Sequence, residues 1–246
     1  MAPVGRELAR SFHVLEPWQR RSGPFPLTVS QHVEDLRDLV RDQLPGQKPA
    51  VVGSSWGAML ALAHAARYPA ETGPIVLIGC GTFDRVARSE LAARLDARMT
   101  ASLRSRLASL LAAYPDADER RRVEGELLLP LYCYDLVEPP AEGGPCDARG
   151  AEESWNDMLR RQAEGVYPAA FGSIHVPVLM LHGAYDPHPG RRILEGLRPI
   201  LPQIEYREWE RCGHYPWLER ATRSEFYEVL TEWLTQHTER RSDGPE

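Results

Sequence analysis

Two hydroxyls stand side by side in Gly53-Ser54-Ser55-Trp56-Gly57. The glycines frame Ser55, which makes it the candidate nucleophile and Ser54 the minor one. The chemistry needs a tight turn that lifts the hydroxyl clear of the backbone, and Gly53 and Gly57 are expected to remove side chains that would clash there. A serine hydroxyl is a weak nucleophile until a base takes its proton. His214, in Cys212-Gly213-His214-Tyr215-Pro216-Trp217, is the candidate base. Asp186, in His182-Gly183-Ala184-Tyr185-Asp186-Pro187, is the candidate acid that would hold the imidazole and stabilise it when charged. The backbone N–H of Trp56 is the expected oxyanion donor. His188 is close enough to Asp186 to be mistaken for the base and is read as a loop histidine. Asp84 is a second candidate acid.

These residues need elements that bring them together. Ala50-Val51-Val52-Gly53 is a short apolar run that reads as a buried parallel strand, and Trp56 to Tyr68 reads as a helix stopped by Pro69. Ser55 thus falls on a strand–turn–helix junction. Ile75–Gly79, Val176–Gly183 and Ile204–Trp209 read as further strands, with Asp186 just beyond the second of these and His214 just beyond the third. A helix is expected from Thr28–Ser30 to Leu44, ended by Pro45-Gly46, and a closing helix over Glu219–His237. Phe12–Glu16 reads as one more short strand. Strands alternating with helices imply a parallel sheet with right-handed crossovers.

From Phe83 to about Ser173 this rhythm stops. Leu91, Leu95, Met99, Leu103, Leu107 and Leu111 recur every four residues and predict one long helix, with an arginine-rich outer face read as solvated. Glu138 to Gly150 reads as a Pro/Gly-rich linker, and Ser154 to Glu164 as another helix. The expected organisation is an α/β core over 1–82 and 174–246 with a helical lid inserted over 83–173. The lid would set the substrate, whose contact residues are unknown at this level.

Bulk properties exclude other classes. The chain has 246 residues and a net charge of −6, which disfavours a nucleic-acid partner, because phosphate binding needs a positive field. No apolar run approaches the ~20 residues of a membrane span, and no apolar leader opens the chain. Cys80, Cys133, Cys146 and Cys212 show neither zinc-type nor redox-type spacing and are read as free thiols, with a cytoplasmic location as the default.

The segments Val51-Val52-Gly53-Ser54-Ser55-Trp56-Gly57-Ala58, Leu181-His182-Gly183-Ala184-Tyr185-Asp186 and Gly213-His214-Tyr215-Pro216 resemble the α/β-hydrolase superfamily, in particular its proline-iminopeptidase-like branch. Gln19-Arg20-Arg21-Ser22-Gly23 is similar to that branch's early Gln-Arg-Gly-x-Gly loop, with Arg21 in place of glycine. Ser54 stands where iminopeptidases carry a second glycine. The resemblance runs from about residue 6 to the last helix. It implies a mostly parallel sheet of the α/β-hydrolase type, the chain order Ser, acid, His, and hydrolysis through an acyl-enzyme without metal or organic cofactor. It also implies about three strands before Phe12, the last ending in a His-Gly-Gly-type loop that gives a second oxyanion N–H. The sequence holds no such motif; the expectation is a missing N-terminal segment and a gap beside the nucleophile strand, with a differently closed sheet or a degenerate, non-catalytic member as the alternatives.

Two functions are expected to compete. The first is a serine hydrolase acting on a small ester, amide or short peptide. The second is a catalytically impaired relative that binds a small ligand under its lid. Glu152, Glu153 and Asp157 are possible acidic contacts for a substrate amino terminus, against a plainer reading as a solvated helix face.

Overall fold

The computed structural model describes residues 1–139 and 145–239. Four strands form one parallel sheet: β1 (Val51–Ser54), β2 (Ile75–Ile78), β3 (Val178–Gly183) and β4 (Ile204–Trp209), in the order β1-β2-β3-β4. The sheet is covered on both faces, which is why β2 and β3 read as continuous apolar runs. Ile75 and Leu77 of β2 face one core; Val76 and Ile78 face the other. All four are fully buried, and each contributes about 1.5–3 kcal/mol.

The first core packs against α2 (Val29–Gln43), α3 (Trp56–Arg67) and α8 (Gly190–Leu197). Helix α2 starts at a capping box in which Thr28 and Gln31 satisfy each other's backbone N–H. The second core packs against α1 (Ala2–Leu8) and the closing α9 (Arg223–Glu239), through Val4, Leu8, Phe226, Leu230 and Trp233.

The predicted strand Phe12–Glu16 is not a strand. Phe12 and Val14 lie partly buried against the second core, and Glu16 pairs with the Met1 amino group at 3.2 Å. Alternating apolar residues can be satisfied by such side-chain packing with no ladder partner. Among the described residues, β1 pairs only with β2 and is an edge strand of the sheet.

Between β2 and β3 lie α4 (Arg85–Arg98), α5 (Ala101–Ala113), α6 (Ala117–Tyr132), α7 (Ala148–Ala163) and a 3-10 turn (Ala169–Ser173). The single helix predicted over Leu91–Leu111 is broken. Met99 is extended, and Thr100 caps α5 by accepting from the Leu103 N–H. A spacing of four residues advances about 40° per step around a 3.6-residue helix, so one straight helix would wind the stripe away from its support. The break resets the face: Leu110 is buried, whereas Leu111 is 72% exposed. Helix α7 begins earlier than predicted because Asp147 caps it, accepting from the Gly150 N–H. Residues 140–144 of the predicted linker lie outside the described residues.

Candidate active site

Ser55, Asp186 and His214 follow β1, β3 and β4 respectively, so all three lie at the carboxyl edge of the sheet. That edge is where open parallel sheets place their ligand-binding loops. Ser55 is the one non-glycine residue with positive φ among the described residues, at φ 53 and ψ −115. Ser54 is ordinary strand, paired with Ile78. The strained backbone therefore singles out Ser55 of the two hydroxyls. The strain is held by Ser55 N–H donating to the Ile78 carbonyl at 2.8 Å and by the first turn of α3 folding onto the Ser55 carbonyl.

The two framing glycines differ. A Cβ on Gly53 would stand 2.2 Å from the Gly57 carbonyl oxygen and 2.7 Å from the Ala58 nitrogen, so only glycine fits. A Cβ on Gly57 would meet nothing within 4 Å. The expectation that Gly57 also relieves a clash is therefore corrected.

Asp186 is completely buried and gathers three histidines. Its Oδ2 accepts from His214 Nδ1 at 2.6 Å, with His182 Nε2 at 3.4 Å. Its Oδ1 accepts from the His188 backbone N–H at 2.9 Å and from His188 Nδ1 at 3.0 Å. Burial alone would raise this carboxyl. The charges of His214 and His182 and the hydrogen bonds from His188 and His214 outweigh burial and hold it well below the ordinary range. Its ionised form commits His214 Nδ1 as donor and leaves Nε2 as the acceptor.

His214 lies over Gly79, the residue after β2. Gly79 has φ +53, and a Cβ there would come within 2.9 Å of His214 Nδ1. Ser54 pairs with Ile78, so Ser55 and Gly79 are the next residues along neighbouring strands, and the imidazole lies over the second of them. Among the described residues no hydrogen bond joins Ser55 Oγ to His214. Such bonds are often loose before substrate arrives. Trp56 opens α3, where a first-turn N–H has no carbonyl of its own helix to bond. Its indole donates to Gln19 Oε1 at 3.1 Å, tying the Gln19–Gly23 loop to the elbow.

Sequence reasoning set His188 aside, yet its ring stacks on that of His214 at 4.8 Å and shares the same carboxylate. The signal was the Asp-x-His spacing. It also missed Tyr132, whose ring stands edge-on to His214 at 5.6 Å and whose carbonyl accepts from the His214 N–H at 2.8 Å. Asp84 is not brought to the site; it caps α4 through the Ala87 N–H. Asp157 and Glu153 are held elsewhere. Asp157 accepts from the Val29 N–H and pairs with Arg160 and Arg161, while Glu153 accepts from the Leu27 N–H. Glu152 is exposed.

Asp186, His188 and His214 are the one group among the described residues with ligand atoms within 4.8 Å of one another that could hold a metal. Both carboxylate oxygens and both Nδ1 atoms already bond one another there. Two grooves of about 400 and 420 Å³ are lined by the inserted helices, the first also by Tyr185, and neither is lined by Ser55, Asp186 or His214. No described helix is long and apolar enough to cross a membrane.

Solved structures with the same fold include an esterase from Thermogutta terrifontis, at 17% identity and TM-score 0.61, covering 96% of this chain and 85% of that one. A meta-cleavage product hydrolase from Pseudomonas fluorescens IP01 matches at 17% identity and TM-score 0.58, covering 95% and 84%. A proline iminopeptidase from Mycobacterium smegmatis matches at 19% identity and TM-score 0.52, covering 85% and 72%. No protein of curated function matches the sequence. Residues 1–224 match the sequence model of the Alpha/beta hydrolase family, and with the parallel sheet and the serine elbow on its carboxyl edge, the chain belongs to that family.

Proposed function

We propose that this α/β hydrolase is a serine hydrolase that cleaves a small ester or amide through an acyl-enzyme. The observation that carries this reading is the strained Ser55 elbow on the same sheet edge as an imidazole locked to a buried carboxylate. Ser55 Oγ attacks the substrate carbonyl carbon while His214 Nε2 takes its proton. Asp186 holds the tautomer and stabilises the imidazolium. The oxyanion develops beside the Trp56 N–H, where the positive end of α3 adds to the field. Collapse expels the alcohol or amine, protonated by His214, and leaves Ser55 acylated. Water activated by the same imidazole then releases the acid.

The helices between β2 and β3 act as a lid over this edge. The substrate is a small uncharged-centre carbonyl compound rather than a peptide held by its amino terminus. Supporting this, Asp157 and Glu153 are engaged in fastening α7 to the start of α2. The test is hydrolysis of p-nitrophenyl acetate. Wild type should turn it over; Ser55→Ala and His214→Ala, both folded, should fall to background. Equal rates in all three would contradict the assignment.

A second reading, a catalytically impaired member that binds a small ligand, is favoured by the edge position of β1, which among the described residues has no neighbouring strand on that side to supply a second oxyanion donor. Loss of one oxyanion donor costs about 100–1000-fold in rate. Folded wild type with no esterase activity above Ser55→Ala would select this reading.

A further inference from the structure

Glu219 is the most deeply buried acid outside the Ser55–Asp186–His214 group, with no exposed surface. Its carboxylate is held entirely by backbone N–H groups rather than by a cation. Oε1 accepts from Gly213 at 2.9 Å and from Tyr134 at 2.8 Å; Oε2 accepts from Asp135 at 2.6 Å. These donors come from two segments far apart in sequence. Gly213 immediately precedes His214. Tyr134 and Asp135 belong to the strap that leaves α6 and runs across the His214 loop.

More bonds stitch the same two segments. His214 N–H donates to the Tyr132 carbonyl, Val137 N–H to that of Leu218, and Arg220 N–H to that of Asp135, each at 2.8 Å. Leu136 and Glu219 form an antiparallel bridge. The contact leaves no slack: a Cβ on Gly213 would stand 2.2 Å from the Tyr132 carbonyl oxygen and 2.7 Å from Glu219 Oε1. A buried charge persists only where donors replace water, and three oriented N–H groups do so here. The carboxylate thus joins both segments through three buried bonds, beside the exposed Arg220–Asp135 pair, and one of these segments carries His214.

We propose that Glu219 is a positioning residue: its carboxylate fastens the strap after α6 to the Gly213–His214 backbone, so that the placement of the imidazole beside Ser55 depends on it. This rests on the reading of Ser55 and His214 as nucleophile and base.

The test is Glu219→Gln, which keeps shape but places an NH2 group against a backbone N–H. The readout is the rate constant of Ser55 labelling by a fluorophosphonate, together with kcat and KM for p-nitrophenyl acetate. The rate constant reports on folded molecules alone, whereas the labelling amplitude reports how many there are. Leu230→Ala, a cavity in the second core on α9, serves as a destabilised control. We expect Glu219→Gln to lower kcat and the labelling rate constant 10- to 100-fold with KM changed less than threefold, while Leu230→Ala lowers Tm and leaves the rate constant near wild type. If Glu219→Gln does not accumulate folded, Glu219→Asp, which keeps the charge on a shorter arm, carries the same comparison. Wild-type labelling with an unchanged rate constant in the Glu219 variant overturns the positioning role alone. No labelling of wild type overturns the serine-hydrolase reading itself.

Discussion

Replacing Gly53 and Gly57 by alanine, one at a time, separates two residues that look equivalent in the Gly-x-Ser-x-Gly frame. The added Cβ at 53 lands 2.2 Å from the Gly57 oxygen and 2.4 Å from its carbonyl carbon, both backbone atoms. Restoring van der Waals contact requires β1 and the first turn of α3 to part by about 1 Å. Overpacking of this kind costs about 3 kcal/mol, at the upper end of its usual range because no flexible side chain can yield. In a chain of this size that lowers Tm by roughly 6–12 °C. The same 1 Å moves Ser55, so the reaction rate should fall about 100-fold. At 57 the added methyl meets open space inside a helix, where alanine is favoured over glycine by about 0.5–1 kcal/mol. Tm should rise by about 1–4 °C with activity retained. Thermal unfolding by circular dichroism and the p-nitrophenyl acetate assay read both effects. Gly57→Ala losing as much stability as Gly53→Ala, or Gly53→Ala retaining wild-type Tm and rate, would refute the elbow geometry.

Asp186→Asn should reduce kcat on the order of 10⁴-fold, because the imidazole then loses the partner that sets its tautomer. His188→Ala should cost about tenfold in kcat at unchanged KM, the equivalent of one charge-assisted hydrogen bond of ~1.5 kcal/mol; no change would show that the Nδ1 bond to Asp186 is idle. Burial lowers the pKa of His32, His64 and His182 below 6.5, so the folded chain refuses protons that the unfolded chain accepts. Stability should therefore decline as pH drops below about 6.5, and a Tm that is flat from pH 7 to 5 would contradict this. The depressed Asp186 carboxyl acts lower: its contribution is complete above the unfolded value near 3.9 and is lost only as pH falls from there toward its folded value. Burial pushes the thiols of Cys80, Cys133 and Cys212 up to about 12, so iodoacetamide at pH 8 should leave these three unmodified in the native protein; their rapid alkylation would show a looser core.

Much of the sheet was legible because burial on both faces writes itself as unbroken apolar runs. Ile75–Ile78 and Val178–Gly183 could hardly be anything else once Gly and Pro bounded them. The same logic placed Ser55, Asp186 and His214 on one edge, since each follows a strand and all four strands run parallel. Phe12–Glu16 misled because alternation records which side chains are buried, not whether the backbone has a partner. The stripe from Leu91 to Leu111 misled because a four-residue spacing fits a helix locally and drifts over several turns, and Thr100 resets it. His188 was set aside by its distance from the last strand, yet a turn of three residues folds it back onto Asp186. Glu219 could not be found from sequence at all. Its partners are backbone N–H groups from residues 134, 135 and 213, and long-range bonds to the main chain leave no mark on residue type.

The most direct test of the account is intact-mass and peptide-level mass spectrometry after exposure to a fluorophosphonate. The account predicts one equivalent of label per chain, located on Ser55, and none on a folded Ser55→Ala variant. Label on Ser54, or a well-folded wild type that takes up none, would contradict it.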